Sequence, residues 1–322
     1  MENLFYELIQ VSTGQLDCLS RGPSSEEWQE LYTTAQRQHV TGVCYKGVEK
    51  LFEFGLRAPQ DISIDWMAEA EDIRMGNTLV EKRCATLQKR LIERKIYTTV
   101  LLGQGVAHWY EGDLQELRQP SGIDVFVDCG KEKAMKFVKQ TGQNVVRHDS
   151  HTVWLDKWED TPVRVLPQVA YSKNPWRDKK IQKWFRQNRT KLFEQDGPLI
   201  VPEANMHLVC VLQLLYENLL YGNVDIRMLM DCFMILKKIG GRTVAFPDGM
   251  NVEKVMKAFG INAFAGGIMW IMRAVFKADD SLLPIAPNKA EGEFILQQVM
   301  EGRSALMMIK HYPLQMVWSF FK

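Results

Sequence analysis

Gly103-Gln104-Gly105 and Asp124 are the residues best spaced to do chemistry. The run Ile96-Tyr97-Thr98-Thr99-Val100-Leu101-Leu102 is β-branched, aromatic and apolar, and it stops at the glycines, which predicts a strand meeting a glycine turn. Val106 to Tyr110 can then start a helix. Ile123-Asp124-Val125-Phe126-Val127-Asp128 reads as a second strand, now bearing an acid. Backbone N–H groups at a glycine turn and helix start cradle phosphates. Carboxylates at i and i+2 on the following strand share one face, about 7 Å apart, and hold Mg²⁺ against a triphosphate. A third carboxylate on a neighbouring strand completes a two-metal site. Such a pattern points to phosphoryl transfer. This chain supplies only part of it. Asp128 shares the face of Asp124 but stands roughly 13 Å away, too far to share a cation.

The elements that must position these residues follow from periodicity. Residues 1–95 read as helices. Ser24 and Glu27 form a capping box ahead of Trp28 and Leu31. A longer helix is expected from about Ile64 to Lys95, its stripe running through Leu79, Val80, Leu87, Leu91 and Ile92. Residues 96–172 form the α/β part, with a short helix near Lys131–Gln140 and strands near Asn144–His148, Thr152–Leu155 and Val163–Leu166. From Asn174 the helical period returns and is expected to persist through Asn205–Leu220, Asp225–Lys238, Val252–Phe259, Phe264–Phe276 and Glu291–Glu301. The fold class is therefore α+β: a small mixed sheet between an N-terminal helical region and a C-terminal helical domain, 173–322.

Composition removes several function classes. In 322 residues, 40 Lys and Arg face 39 Asp and Glu, a formal charge of +1, which excludes a polybasic nucleic-acid coat and an acidic disordered chain. The six cysteines, Cys18, Cys44, Cys84, Cys129, Cys210 and Cys232, include no CxxC pair, so a zinc ribbon and a thioredoxin-type redox pair are not expected. The N-terminus lacks a basic region followed by an apolar run, and apolar stretches fall short of the roughly 20 residues of a membrane helix. The expectation is a cytoplasmic protein with free thiols and no transmembrane segment.

Leu101-Leu102-Gly103-Gln104-Gly105, then Tyr110, then Arg118-Gln119-Pro120-Ser121-Gly122-Ile123-Asp124-Val125-Phe126-Val127 resembles the central pattern of a bacterial family of uncharacterised nucleotidyltransferases. That pattern reads Leu-Lys-Gly-Gln-Gly, Tyr, and Arg-x-x-Gly-Asp-Ile-Asp-Leu-Phe-Val. Asn174-Pro175-Trp176-Arg177 with Gln182, the Arg227-x-x-x-Asp231 helix and Glu301-Gly302 extend the resemblance over nearly the whole chain. It implies a nucleotidyltransferase-like core and a nucleoside triphosphate held near Gly103, Gln104, Gly105 and Arg118.

The departures bear on activity. Leu102 stands at the family lysine, Gly122 at the first metal aspartate, Arg164 at the third acid and Leu166 at the histidine after it. Asp124 alone remains of the metal set. The leading expectation is a pseudoenzyme: a nucleotidyltransferase-fold protein that has lost catalysis, needs no cofactor, and serves binding or assembly with an unknown protein partner. One alternative is an active Mg²⁺-dependent transferase moving a nucleotidyl group to an unknown acceptor. Another is a nucleic-acid-binding accessory protein using Lys173 to Lys191, where basic residues interleave with Trp176, Trp184 and Phe185. Against that last reading, Ile181, Trp184 and Phe185 have the spacing of a buried helix face, with Lys179, Lys180 and Lys183 outward. Arg164 is expected to ion-pair with Asp124 across adjacent strands, and Arg227 with Asp231 along one helix. Met228, Leu229, Met230 and Phe233 read as core. His148 and His151 flank a turn without other metal-ligand types. Ala305–Phe321 is an apolar, aromatic tail that docks on the helical domain or meets a protein or membrane surface.

Overall fold

The computed structural model describes residues 2–140, 145–148, 151–242 and 244–320. Helices α1 (Glu2–Ser12), α2 (Ser25–Arg37) and α3 (Thr41–Glu53) lead into α4 (Gln60–Glu93), which spans 34 residues. The capping box forms as expected: Ser24 Oγ accepts from the Glu27 N–H, and the Glu27 carboxylate accepts from the Ser24 N–H. Along α4, Leu87 and Leu91 are buried, but Leu79 and Ile92 face solvent. The expected stripe is too wide. Ile62, Trp66, Ala70, Ile73, Asn77, Cys84, Leu87 and Leu91 recur at steps of three, four or seven residues and occupy the side that meets the core.

Five strands follow: β1 (Thr98–Gly103), β2 (Ile123–Val127), β3 (Val145–His148), β4 (Val153–Trp158) and β5 (Thr161–Leu166). Between them lie two single-turn helices, α5 (Gln104–Ala107) and α6 (Leu114–Leu117), and the longer α7 (Gly130–Gln140). The sheet order is β1-β2-β5-β4-β3, with β2 and β5 parallel and the other pairs antiparallel. Every residue of β2 is buried, so both faces are covered, and its run of apolar residues is the pattern of a central strand. Of the expected Asn144–His148 strand, Asn144 lies outside the described residues.

The remaining helices are α8 (Pro175–Gln187), α9 (Ala204–Tyr221), α10 (Ile226–Ile239), α11 (Val252–Phe259), α12 (Asn262–Phe276), α13 (Lys289–Met300), α14 (Ala305–His311) and α15 (Pro313–Met316). The helical period does not persist throughout, however. A hairpin of β6 (Glu194–Asp196) and β7 (Leu199–Val201) interrupts it, turning at Gly197, whose φ is +58°. Its outer edge is satisfied by side chains. Ile200 O accepts from Gln88 Nε2 at 2.9 Å and Thr99 Oγ1 at 3.2 Å, while Gln88 Oε1 accepts from Ile200 N–H at 3.0 Å. Three-residue strands paired this way leave little periodicity to read in sequence. One apolar core runs through all three expected segments.

Two buried ionisable groups on α9 lock it in place with opposite consequences for pH. His207 is fully buried; its Nδ1 accepts from Trp109 Nε1 at 2.7 Å, and its Nε2 donates to Leu101 O at 2.6 Å. Burial lowers its pKa to about 4, so this contribution to stability is lost as pH falls from its ordinary 6.5 toward 4. Glu217, also buried, is raised by desolvation from 4.5 to about 7. The folded state then holds a proton that the unfolded state releases, so stability falls as pH rises from 4.5 to 7. Glu217→Gln should match the parent near pH 4 and exceed it by roughly 3 kcal/mol at pH 8. Urea midpoints across that range measure the difference; equal midpoints at pH 8 would show that Glu217 is ionised without penalty.

Candidate functional site

Asp124 and Arg164 meet at the centre of the sheet. The parallel register of β2 and β5 places them directly opposite each other, and the register of β1 sets Leu102 on the other side of Asp124. Paired positions in register share a face. Arg164 Nε donates to Asp124 Oδ1, and Nη2 donates to Oδ2 at 2.5 Å, a bidentate fork that uses both carboxylate oxygens. The Asp124 side chain is 4% exposed and that of Arg164 45%, so the guanidinium caps a buried carboxylate against solvent. The carboxylate in turn raises the Arg164 pKa, against the effect of burial. The expected cross-strand pair is present.

Gly122 enters β2 with φ at +97°. A Cβ there would stand 2.6 Å from Pro162 O, against backbone rather than a movable side chain. In this backbone the position therefore has no room for a carboxylate side chain. Leu166 is buried opposite Phe126, two residues further along the same face.

The glycine turn is built just as tightly. Gly103 has φ +60°, and a Cβ on it would lie 2.7 Å from Gly122 O; a Cβ on Gly105 would lie 2.3 Å from Val100 O. Both glycines let β1 reverse into α5 against its own strand. Gln104 is buried, and its amide donates to Asn77 Oδ1 at 2.9 Å. The Asn77 amide donates to Glu116 O and Arg118 O, each at 2.5 Å. Gln104 thus fastens α4 to the segment before β2.

The Arg118 side chain is spent in a buried network. Its Nε and Nη2 donate to Asp231 Oδ1 and Oδ2 at 2.7 and 2.8 Å, and Tyr110 OH donates to Asp231 Oδ1 at 2.7 Å. Burial alone would weaken the hold of Arg118 on its proton, but the Asp231 carboxylate outweighs it and raises the pKa. The expected Arg227–Asp231 pair is not formed. Arg227 turns instead to Asp225 at 3.4 Å and Gln119 O at 3.3 Å. An i, i+4 contact offers a few tenths of a kcal/mol, whereas a buried carboxylate is satisfied best by a bidentate guanidinium. Sequence spacing showed the pairing available along α10 but not the competitor 113 residues away.

A cleft of about 490 Å³ opens at the carboxyl ends of β2 and β5, on the face of Asp124. Phe126, Asp128, Gln168, Phe185, Arg186 and Arg189 are among its walls. Arg189 pairs with Asp128 at 2.5 Å, which commits the second acid of β2 to a cation of the chain. These arginines were visible only as part of a basic segment; their placement opposite β2 is a tertiary fact. Trp184 and Phe185 are buried and Lys179, Lys180 and Lys183 exposed, as the helical spacing predicts. His151 stacks on Tyr171 with centroids 4.2 Å apart, while His148 is exposed. Leu229, Met230 and Phe233 lie in the core, with Met228 partly buried against it.

The model of the family described as uncharacterised nucleotidyltransferase matches residues 24–277. The chain belongs to that family. No curated protein matches it. Membership brings the question of the divalent ion that such a fold implies, and the residues present do not fit one. Both oxygens of Asp124 are occupied by a guanidinium, Gly122 has no room for a carboxylate, and Asp128 is engaged by Arg189. Among the described residues no three His, Cys, Asp or Glu side chains gather closely enough to hold a metal. Nor is any described helix long and apolar enough to cross a membrane.

Proposed function

We propose that this family member binds rather than transfers: a nucleotidyltransferase-fold protein in which a guanidinium has taken the place of the catalytic metal. The observation that carries this reading is the bidentate Arg164–Asp124 pair at the centre of the sheet. A fixed positive charge there repels Mg²⁺, and it already supplies the countercharge and donors that a lone aspartate needs. That no three ligand side chains gather among the described residues matters as much, since phosphoryl transfer relies on cations that neutralise charge developing on the transferred group. What supports a binding role is the cleft at the carboxyl ends of the same two strands, where Arg186 adds a positive charge beyond the Arg189–Asp128 pair and Phe126 and Phe185 bring aromatic surface. An anionic small molecule such as a nucleoside phosphate would be held there by arginine without metal.

Calorimetric titration with nucleoside triphosphates tests this directly. Any heat of binding should be the same with Mg²⁺ and with EDTA, and Arg186→Glu should weaken it at least fivefold. Micromolar binding that requires Mg²⁺ would restore the active transferase.

A further inference from the structure

We propose that the outer face of α8 together with α14 and α15 docks the protein on an anionic phospholipid surface. On α8, Trp176, Lys179, Lys180 and Lys183 recur at i, i+3, i+4 and i+7, and all four are exposed. None of the three lysines has an ion-pair partner among the described residues. The one acid of that helix, Asp178, is turned inward, where Oδ1 accepts from Ser172 N–H at 3.0 Å and Gln182 Nε2 at 3.1 Å. The exposed stripe is therefore basic with a tryptophan at its head.

The C-terminal helices adjoin that tryptophan. Trp176 meets Trp318 edge-on with centroids 5.5 Å apart. Lys173 lies 4.1 Å over the Tyr221 ring, and Tyr221 OH donates to Gln315 O at 2.7 Å, which joins the start of α8 to α15. Met308, Tyr312 and Met316 anchor the tail at four-residue steps, and all three are buried. Tyr312 OH also donates to the buried Glu291. The tail is thus fastened on its inner side, and yet its outer side is apolar as well. Leu314 is 78% exposed and Trp176 70%, with Leu306, Ile309 and Val317 also exposed and Lys310 beside Ile309.

Charge and exposed apolar surface select the occupant. Unpaired lysines call for an anionic partner. Nucleic acid offers phosphate to the lysines and bases to the tryptophan, but gives no reward for burying Leu306, Leu314 or Val317. A bilayer interface accepts all three kinds of group: aliphatic side chains among acyl chains, tryptophan at the headgroup level, lysine against anionic headgroups. A patch that lies on the interface needs no spanning helix.

Co-sedimentation of the full chain with phosphatidylcholine vesicles, with and without phosphatidylserine, is the test. Binding is expected to the anionic vesicles only, and to weaken with salt. Replacing Lys179, Lys180 and Lys183 together by glutamate should lower partitioning about tenfold or more. Leu314→Ser should lower it about fivefold without altering the salt dependence. These positions are solvent-exposed, so an unchanged melting temperature checks the fold. Three outcomes would overturn the proposal: no sedimentation with anionic vesicles, binding untouched by Leu314→Ser, or salt-sensitive binding to single-stranded RNA with none to vesicles.

Discussion

Asp231→Ala should lower the stability of the folded protein by about 3–5 kcal/mol, the cost of leaving a buried guanidinium without its partner. Arg118 is 2% exposed and Asp231 3%, so neither charge can turn to water. The loss would strand Tyr110 OH as well, whose pKa burial already raises well above its usual value. Urea unfolding measures the change. The double substitution Arg118→Met with Asp231→Leu separates charge from packing. It removes both charges and keeps apolar volume, and should recover most of the loss. A double variant as unstable as Asp231→Ala would show that the network holds the fold by shape rather than by charge compensation.

Giving this chain the acids and lysine of the family pattern should not create a metal site. Gly122→Asp alone should cost roughly 2–4 kcal/mol, because the backbone sits at φ +97° and the new Cβ would meet Pro162 O. Combined with Leu102→Lys and Arg164→Glu, it should still fail to give Mg²⁺-dependent triphosphate binding by calorimetry. The third substitution places a glutamate beside Asp124, and two carboxylates there repel each other unless a cation enters. Leu102→Lys with Arg164→Glu, leaving Gly122 in place, tells backbone from side-chain causes. That pair should stay folded, since Arg164 is half-exposed and Leu102 only partly buried. Metal-dependent binding by the triple variant would mean that the strand entry relaxes and that side-chain identity alone silenced the site.

Much of the framework was legible because it is local. The β-branched run ending at Gly103, the continuous apolar stretch of β2, the Ser24–Glu27 box and the inward spacing of Ile181, Trp184 and Phe185 are each set by residues within a turn or a strand of one another. Comparison with the family pattern set Arg164 beside Asp124, and charge complementarity predicted their contact across adjacent strands. The β6–β7 hairpin was not legible, since its edge hydrogen bonds come from Gln88 and Thr99, about a hundred residues away.

The sequence alone determined which residues could form the sheet and that an acid and an arginine stood on two of its strands. Only the tertiary structure decided how the buried charges were shared out. Asp231 had a cation four residues along its own helix, and the fold gave it a different one, from the segment before β2. The same holds at Gly122, where the obstacle to a carboxylate is Pro162 O on the adjoining strand. Periodicity fixes which face a side chain takes, because that depends on backbone geometry over a few residues. Partners for buried charge and room for a Cβ depend on what the rest of the chain brings within about 4 Å, a distance that spacing along the sequence does not encode.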